Sequence, residues 1–472
     1  MKTTMKATLF LAAALAAGVS AFADGSRQAC ACKVAPFSNG ERVAFLGDSI
    51  THGGLYHVNL QLFWDLRFPG SGTRMVNCGI SGDTAGGGAA RYEHDVLQQR
   101  PDRVFVMFGM NDVGRSEYAG GRNTEAKRKA RLDAYRKNME KIADQVHSAG
   151  KKLAVMTPTP YDEYGDLYKP DPSVGCNSQG LASFAKACRE LAAERKAELV
   201  ELYEPLTEFI RAQRDFMFCR QSDRVHPTPA GHVIISALIL EAMGVSPVVA
   251  KVEVDATGRV RRTVRAEVSD VKASPRGISF RYAPASLPFP TPKEYCEADA
   301  VYPVSKKMNM EILEIAGLPS GEYGLLADGN AIGTFSAEQF AEGVNLALLP
   351  TPGATLAMEA WKISREISSL QSRLRSLALV EKVATGHGAK AGDPEDICAK
   401  MEEFVRKMEK DGNKYAEYYA KQLTAYRRDI AQVERLRAQE DDCRRRLAYA
   451  AARKAAYAID IRPSATPPQN AL

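Results

Sequence analysis

Residues 43–51 read Val-Ala-Phe-Leu-Gly-Asp-Ser-Ile-Thr, so that an apolar run leads directly into Gly47-Asp48-Ser49. An unbroken apolar run of this length is typical of a strand buried on both faces of a parallel sheet. Gly47 allows a sharp turn where the strand ends, and open α/β sheets bind their ligands at that edge. The stretch therefore predicts Ser49 at the rim of such a sheet, beside a helix start whose free backbone N–H groups can bind negative charge.

Apolar runs continue to alternate with helical patterns from residue 41 to residue 245. The predicted strands are 42–47, 74–78, 103–108, 152–157 and 198–202. The predicted helices lie near 54–66, 84–99, 124–149, 179–196 and 229–243. Because strands that alternate with helices favour a parallel sheet covered on both faces, we predict a three-layer α/β/α domain over 41–245.

A second polar segment, Ser222-Asp223-Arg224-Val225-His226-Pro227, comes shortly before the last of these helices. Asp and His three residues apart can place both side chains on one side of a turn. His226 would then take a proton from Ser49, while Asp223 orients the ring and stabilises its charged form. A lone Asp-x-x-His is common in polar loops, so this interpretation depends on the remaining segments.

Two further segments offer hydrogen-bond donors for an oxyanion. Gly82 follows the second predicted strand and can present its backbone N–H at close approach, and Asn111 follows the third strand and can donate through its side-chain amide. An Asx turn is the alternative use of an asparagine after a strand. All four segments lie at the ends of strands or before a helix, which predicts that they converge on one edge of the sheet.

Together, Gly47-Asp48-Ser49, Gly82, Gly109-x-Asn111-Asp112 and Asp223-x-x-His226-Pro227 resemble the four blocks of the SGNH (GDSL-type) hydrolase family over about 41–245. The resemblance implies a flavodoxin-like fold and an ester hydrolase that needs no cofactor and no metal. It also implies that Ser49 is the nucleophile, His226 the base and Asp223 its partner. The oxyanion hole would consist of the N–H groups of Ser49 and Gly82 and the amide of Asn111. The Gly-x-Ser-x-Gly elbow of α/β-hydrolases occurs nowhere in the chain.

Other polar residues near these blocks are candidates for the substrate pocket. Asp48 is predicted to brace the turn around the nucleophile and to border the pocket. Thr159, Tyr161 and Asp162 follow the fourth predicted strand at the same edge, where a rigid turn is the alternative. His52 is interpreted as an exposed residue at a helix start, and contact with the substrate is the alternative.

The second half of the chain has different patterns. Residues 246–352 predict a small, mainly β accessory region with a hairpin turn at Asp328-Gly329-Asn330. Residues 353–460 are helical and highly charged, with a heptad seam at Ile363, Ile367, Leu370, Leu374 and Leu377. The simplest arrangement is an antiparallel helical hairpin of the coiled-coil type, with a second arm over 395–457 and a flexible tail over 461–472. The hairpin either folds back on its own chain or mediates self-association.

The N-terminal residues 1–23 are typical of a cleavable signal peptide. Lys2 and Lys6 precede an apolar core over 7–19, and Ala21-Phe22-Ala23 is a small-x-small cleavage site. A mature chain that begins near Asp24 with a tail over 24–40 is therefore expected to be secreted or periplasmic. No other stretch is long and apolar enough to predict a transmembrane span.

Charge and cysteine content limit the partners and the redox state. The net charge of +6 is spread over 63 basic and 57 acidic residues, which indicates no nucleic-acid partner. The nine cysteines are an odd number, so an exported chain that forms disulfides keeps at least one free or intermolecular thiol.

The expected partner is a small acylated substrate, and the expected function is the removal of short acyl groups, above all acetyl, from carbohydrate. A lysophospholipase or thioesterase of the same family is the first alternative. An envelope scaffold or interaction protein with a vestigial hydrolase domain is an alternative of another class. The intact set of Ser49, Gly82, Asn111, Asp223 and His226 argues against a vestigial site.

Overall fold

The computed structural model describes residues 34–119, 122–170 and 173–464, so the predicted signal peptide and the cysteines Cys30 and Cys32 lie outside the described residues. The first half of the described chain consists of β1 (Arg42–Gly47), α1 (Ser49–His52), α2 (Leu55–Arg67), β2 (Arg74–Gly79), α3 (Ala85–Arg91), β3 (Arg103–Met107), α4 (Glu125–Ser148), β4 (Lys152–Met156), α5 (Ala182–Glu194), β5 (Glu198–Val200), α6 (Tyr203–Ala212) and α7 (Pro229–Ala242).

These strands form one parallel sheet in the order β2-β1-β3-β4-β5, which is the flavodoxin-like order. The three-layer α/β/α prediction is confirmed. Strand β1 lies inside the sheet, and its residues from Val43 to Leu46 are almost completely buried, as the unbroken apolar run predicted. Because all five strands are parallel, their carboxyl ends share one edge, and Ser49 begins α1 directly beyond that edge.

Two local predictions in this half differ from the structure. The helix predicted over 84–99 ends as α3 at Arg91 and continues as a π-helical turn and a 3-10 turn up to Gln99. Helix α6 was not predicted, because its ten residues follow the short strand β5 almost directly.

The second half continues with β6 (Val248–Asp255), β7 (Val260–Val264), β8 (Ala266–Ser274), β9 (Gly277–Pro284), α8 (Lys293–Asp299), α9 (Val304–Met308), β10 (Met310–Ala316), β11 (Glu322–Ala327), β12 (Asn330–Ser336), α10 (Ala337–Glu342), β13 (Val344–Asn345), α11 (Pro352–Gly386), α12 (Pro394–Lys410), α13 (Ala416–Asp429), α14 (Val433–Ala451) and β14 (Tyr457–Pro463). The hairpin predicted at Asp328-Gly329 is present between β11 and β12, and both turn residues have positive φ. No helix in the described part of the chain has the length and apolarity needed to cross a membrane.

The C-terminal helices number four in the described residues, and the predicted two-armed hairpin is wrong in this respect. The arm predicted over 395–457 is interrupted at Asp411-Gly412-Asn413, where Gly412 has a φ of +63°, and again by a 3-10 turn over 430–432. Helix α11 contacts α12, α13 and α14, and it also contacts α2 and β2 of the α/β part. Eleven of the 13 residues of α2 are buried, because the sheet and the C-terminal helices cover it together.

The prediction of a flexible tail from residue 461 is wrong for residues 461–463. Residues 457–463 form β14, which lies between β9 and β11 in the sheet β12-β11-β14-β9-β8. Tyr457, Ile459 and Ile461 are buried and alternate with outward-facing residues, so the strand has the period-two pattern of a sheet with one covered face. The last described strand therefore completes a sheet that begins about 190 residues earlier in the chain, and residues 465–472 lie outside the described part.

Candidate active site

Ser49, His226 and Asp223 form a continuous hydrogen-bonded chain. The Oγ atom of Ser49 lies 2.8 Å from Nε2 of His226, and Nδ1 of His226 lies 2.6 Å from Oδ2 of Asp223. An ionised carboxylate can only accept, so Nδ1 carries the proton and donates to Asp223. In the neutral ring Nε2 is then the acceptor for the hydroxyl of Ser49, which is the arrangement a general base requires.

The loop that carries Asp223 and His226 is held by its own backbone. Cys219 and Pro227 form an antiparallel bridge, and the backbone N–H of Arg220 donates to the carbonyl of His226 at 2.8 Å. The carbonyl of Asp223 accepts a hydrogen bond from Arg115 at 3.0 Å, so a residue on the loop after β3 also fixes this turn.

The carboxylate of Asp223 is stabilised in its charged form. Partial burial raises its pKa, but hydrogen bonds from the ring and the backbone N–H of His226 and from the N–H of Val225 outweigh burial and lower the pKa to about 2. Asp223 is therefore ionised throughout the neutral range and presents a charged acceptor to Nδ1 of His226.

The two other predicted blocks meet at Asp83. The amide Nδ2 of Asn111 donates to the backbone carbonyl of Asp83 at 2.8 Å, so Asn111 bridges two loops rather than closing a local Asx turn. Gly82 precedes Asp83, is exposed and has a φ of +76°, a conformation that favours glycine. Asp112 adds a second link, because its carboxylate accepts from the N–H of Ala85 at 3.0 Å.

Gly47 and Asp48 shape the turn before Ser49. A Cβ atom on Gly47 would lie 2.3 Å from Oγ1 of Thr51 and 2.7 Å from the carbonyl of Met107, so only glycine lets β1, α1 and β3 approach this closely. Asp48 is buried and its carboxyl accepts from the N–H of Ile50 at 2.9 Å, which is the bracing role predicted for it. Burial raises the pKa of Asp48 to about 7, and the hydrogen bond from Ile50 only partly offsets that rise.

The raised pKa of Asp48 predicts a specific pH dependence of stability. The folded chain retains this proton up to about pH 7, whereas the unfolded carboxyl releases it near ~3.9, so Asp48 lowers the free energy of unfolding by about 1.4 kcal/mol per pH unit as the pH rises between these values. Asp48→Asn keeps an oxygen acceptor for Ile50 and removes the ionisation. Urea unfolding from pH 4 to 8 should show the variant gaining stability relative to the parent chain up to about pH 7 and not beyond. If the two chains differed in their free energy of unfolding by the same amount at every pH from 4 to 8, burial would not raise the pKa of Asp48.

The remaining pocket candidates are buried rather than presented to solvent. Thr159, Tyr161 and Asp162 are 1%, 3% and 1% exposed. One carboxyl oxygen of Asp162 accepts from the N–H groups of Tyr164 and Gly165, which is the rigid turn that the sequence left as the alternative. Their role in the pocket stays a prediction.

His52 is buried, so the expectation of an exposed helix-start histidine is wrong. Its Nδ1 atom lies 3.1 Å from the backbone N of Ser81 and 3.2 Å from the Oγ atom of Ser81. Burial and the nearby Arg375 lower the pKa of His52 to about 3, so the ring is neutral and accepts from the N–H of Ser81. His52 thereby ties α1 to the loop that carries Gly82.

The part of the chain that contains this geometry matches a known family. Residues 45–234 match the model of the GDSL-like lipase/acylhydrolase family. This part of the chain belongs to that family. Ser49, Gly82, Asn111, Asp223 and His226 all lie within the matched residues, and the GDSL-like part is a carboxylic ester hydrolase, as its relatives indicate.

Two esterases each match less than half of this chain. An acetylxylan esterase of Geobacillus stearothermophilus is 28% identical over 221 residues, which are 44% of this chain and 95% of that protein. An arylesterase of Vibrio mimicus is 23% identical over 218 residues, which are 45% of this chain and 92% of that protein. A gut microbial diltiazem-metabolizing enzyme of known structure extends further, with a TM-score of 0.82 at 26% identity over 92% of this chain and 100% of that one.

The C-terminal helices reach the GDSL-like site, which sequence reasoning did not anticipate. Lys382 on α11 forms an ion pair with Asp83 at 2.5 Å. The hydroxyl of Tyr419 on α13 is the nearest neighbour of the position where a Cβ of Gly82 would lie, at 3.9 Å. No motif identified Lys382 or Tyr419. Their helices are rich in charges with a few apolar positions, and helices that face solvent or pack on each other have the same pattern.

Proposed function

We propose that this esterase works through an acyl-enzyme on Ser49. The hydrogen-bonded chain from Ser49 through His226 to Asp223 carries the proposal. His226 removes the proton of Ser49, whose Oγ attacks the ester carbonyl. The alcohol leaves with the proton from His226, and a water molecule, deprotonated by the same ring, then releases the acid.

The negative charge of the tetrahedral intermediate is held, in this proposal, by the N–H groups of Ser49 and Gly82 and by the amide of Asn111. The hydrogen bond from Asn111 to Asp83 uses one of two amide protons and leaves the other for the oxyanion. Such donors stabilise the transition state more than the bound ester, so they raise kcat more than they change KM.

Asn111→Ala tests this assignment. We expect kcat on p-nitrophenyl acetate to fall by about a hundredfold with little change in KM, because one oxyanion donor is lost. Asn330→Ala, at the exposed first residue of β12, is the matched control and should keep the parental kcat. A kcat within a factor of about two of the parent in folded Asn111→Ala would remove this residue from the oxyanion hole.

For the substrate we propose a short acyl ester, above all acetate, on a carbohydrate. The acetylxylan esterase that aligns with the GDSL-like part supports this choice. The signal-peptide pattern of residues 1–23 supports secretion or a periplasmic location, where polymeric carbohydrate is accessible. Diltiazem is a further substrate to test, because the structural neighbour that spans most of this chain metabolizes it.

The decisive experiment compares p-nitrophenyl acetate, butyrate and octanoate and then an acetylated methyl xyloside, using the chain from Asp24 onward. We expect kcat/KM to be highest for the acetate and to extend to the xyloside. Faster turnover of the octanoate would favour the lysophospholipase or thioesterase alternative. Turnover no faster than that of Ser49→Ala on all esters would favour the scaffold alternative.

A further inference from the structure

A cluster of charges, buried except for the half-buried Lys382, lies next to the loop that carries Gly82. The side chain of Asp83 is completely buried, and its two oxygens meet Nε of Arg91 at 2.8 Å and Nζ of Lys382 at 2.5 Å. Asp95 pairs with Arg91 and also with Arg375, whose two terminal nitrogens lie 2.7 Å from the carboxylate. Two of the three cations, Arg375 and Lys382, therefore come from α11 in the C-terminal half.

Both non-nucleophile donors of the proposed oxyanion hole depend on Asp83. Gly82 is its direct neighbour, and the amide of Asn111 is oriented by its carbonyl at 2.8 Å. The other end of the loop is also held from α11, because Nε of Arg375 donates to the carbonyl of Gly79 at 3.0 Å. The backbone from Gly79 to Asp83 is thus attached to one helix at both ends.

The charge balance makes Lys382 important for this attachment. A buried carboxylate is stable only when it is paired and hydrogen-bonded, and removing one partner leaves uncompensated charge. If α11 were absent, Arg91 would be the one cation of this cluster left to pair with the carboxylates of Asp83 and Asp95. A Cβ on Gly87 would lie 1.8 Å from the carboxylate of Asp83 and 3.2 Å from Nζ of Lys382, so the helix start of α3 leaves space for this ion pair.

We propose that Lys382 is a positioning residue for the oxyanion hole. By fixing the carboxylate of Asp83, it fixes the backbone that presents Gly82 and orients Asn111. Helix α11 is then part of the catalytic apparatus, although it lies about 300 residues from Asp83 in the chain. The inference rests on the proposed function, because it concerns the donors assigned there.

Lys382→Met, which keeps the length of the side chain without its charge, tests the inference. We expect kcat on p-nitrophenyl acetate to fall by about tenfold with KM nearly unchanged, since the donors are displaced rather than removed. Lys382→Arg should recover most of the loss. Lys421→Met, which breaks the exposed pair with Glu417 on α13, is the matched control and should keep the parental kcat.

The outcomes separate this inference from the proposed function. An unchanged kcat in folded Lys382→Met, or a KM that rises while kcat is constant, would overturn the positioning role. A loss of kcat that Lys382→Arg does not recover at an equal unfolding midpoint would overturn it as well. If Ser49→Ala is inactive and Lys382→Met is fully active, this inference fails and the proposed mechanism stands.

An independent observation concerns the aromatic residues beside Gly82. The hydroxyl of Tyr419 lies 3.9 Å from the position that a Cβ atom on Gly82 would take. The rings of Tyr418 and Tyr419 meet edge to face with centroids 5.2 Å apart. Tyr415 and Tyr418 remain 49% and 36% exposed, so flat apolar surface is open to solvent next to the oxyanion loop.

We infer that Tyr415, Tyr418 and Tyr419 form an aromatic wall of the substrate site that packs against a six-membered ring in the alcohol part of the ester. Aromatic faces bind such rings by dispersion, and aromatic rings add a preferred stacking geometry. A fixed wall of this kind would select ring-bearing esters over open-chain ones. Like the role of Lys382, it rests on the proposed oxyanion hole.

Tyr418→Ala and Tyr419→Ala test the wall by substrate comparison. The ratio of kcat/KM for phenyl acetate to that for ethyl acetate should fall by about three- to tenfold in each variant, and the ratio for an acetylated methyl xyloside should fall likewise. A fall with phenyl acetate alone would restrict the wall to aryl rings. Tyr449→Ala on α14, where the ring is 78% exposed, is the control and should leave both ratios unchanged. Equal losses on all three esters, or no losses, would overturn the inference.

Discussion

Ser49→Ala is expected to lower kcat/KM on p-nitrophenyl acetate by at least about a thousandfold, because no acyl-enzyme can form. The hydroxyl of Ser49 lies 2.8 Å from Nε2 of His226 and is the group from which the ring takes its proton in the proposed mechanism. The substitution removes one oxygen atom from a partly buried position, so the unfolding midpoint should change little. The measurement compares kcat/KM of the two purified proteins. The burst of p-nitrophenol gives the concentration of active sites in the parent chain.

A matched serine on the catalytic loop provides the control. Ser222 lies next to Asp223 and is exposed, so Ser222→Ala should keep parental activity. If Ser49→Ala retained more than about a hundredth of the parental kcat/KM after removal of contaminating esterases, the assignment of the nucleophile would be wrong.

A chain that ends at Val245 is expected to be insoluble or inactive, although it contains every residue of the four family blocks. The cut removes α11 and α14 and uncovers α2, where His57, Val58 and Gln61 border a small cavity together with Ile367 and Leu447. It also leaves buried cationic and polar groups without partners, since Arg67 donates to the carbonyls of Ser246, Val248 and Met308. Uncovered apolar area costs about 25 cal/mol per Å², so exposing roughly 400 Å² offsets about 10 kcal/mol, which is the usual stability of a domain.

Two longer truncated chains show which part of the C-terminal half is needed for folding. A chain that ends at Ser464 retains every described strand and should match the parent in solubility and kcat. A chain that ends at Lys454 lacks β14, the strand between β9 and β11, and should lose the cooperative unfolding transition of the parent. A soluble, fully active chain ending at Val245 would show that the C-terminal half serves location or assembly instead.

The parallel sheet and the juxtaposition of Ser49, His226 and Asp223 could be predicted because the relevant information is local. The apolar run before Gly47 identifies a strand buried on both faces, and a parallel sheet brings its strand ends to one edge whatever the loops do. The geometry from Ser49 to Asp223 therefore follows from topology and four short motifs.

The contribution of the C-terminal half could not be predicted in the same way. Lys382 lies in a helix rich in charges, where a lysine is usually solvated, and only its tertiary neighbour Asp83 distinguishes it. His52 was predicted at the surface because the sequence suggested that it starts a helix, whereas it ends α1 and lies against Ser81 and α11. The strand β14 carried a usable signal, the alternation of Tyr457, Ile459 and Ile461, but its partners lie far away in the sequence.

The most direct test of Ser49 as the nucleophile is covalent labelling with diethyl p-nitrophenyl phosphate, followed by peptide mass spectrometry. We expect one diethylphosphoryl group per chain, on the peptide that contains Ser49, with activity lost in proportion to labelling and no label in Ser49→Ala. His226→Ala should label far more slowly, because the base is absent. A label on another residue that abolishes activity, or full activity in a chain labelled at Ser49, would contradict the central claim.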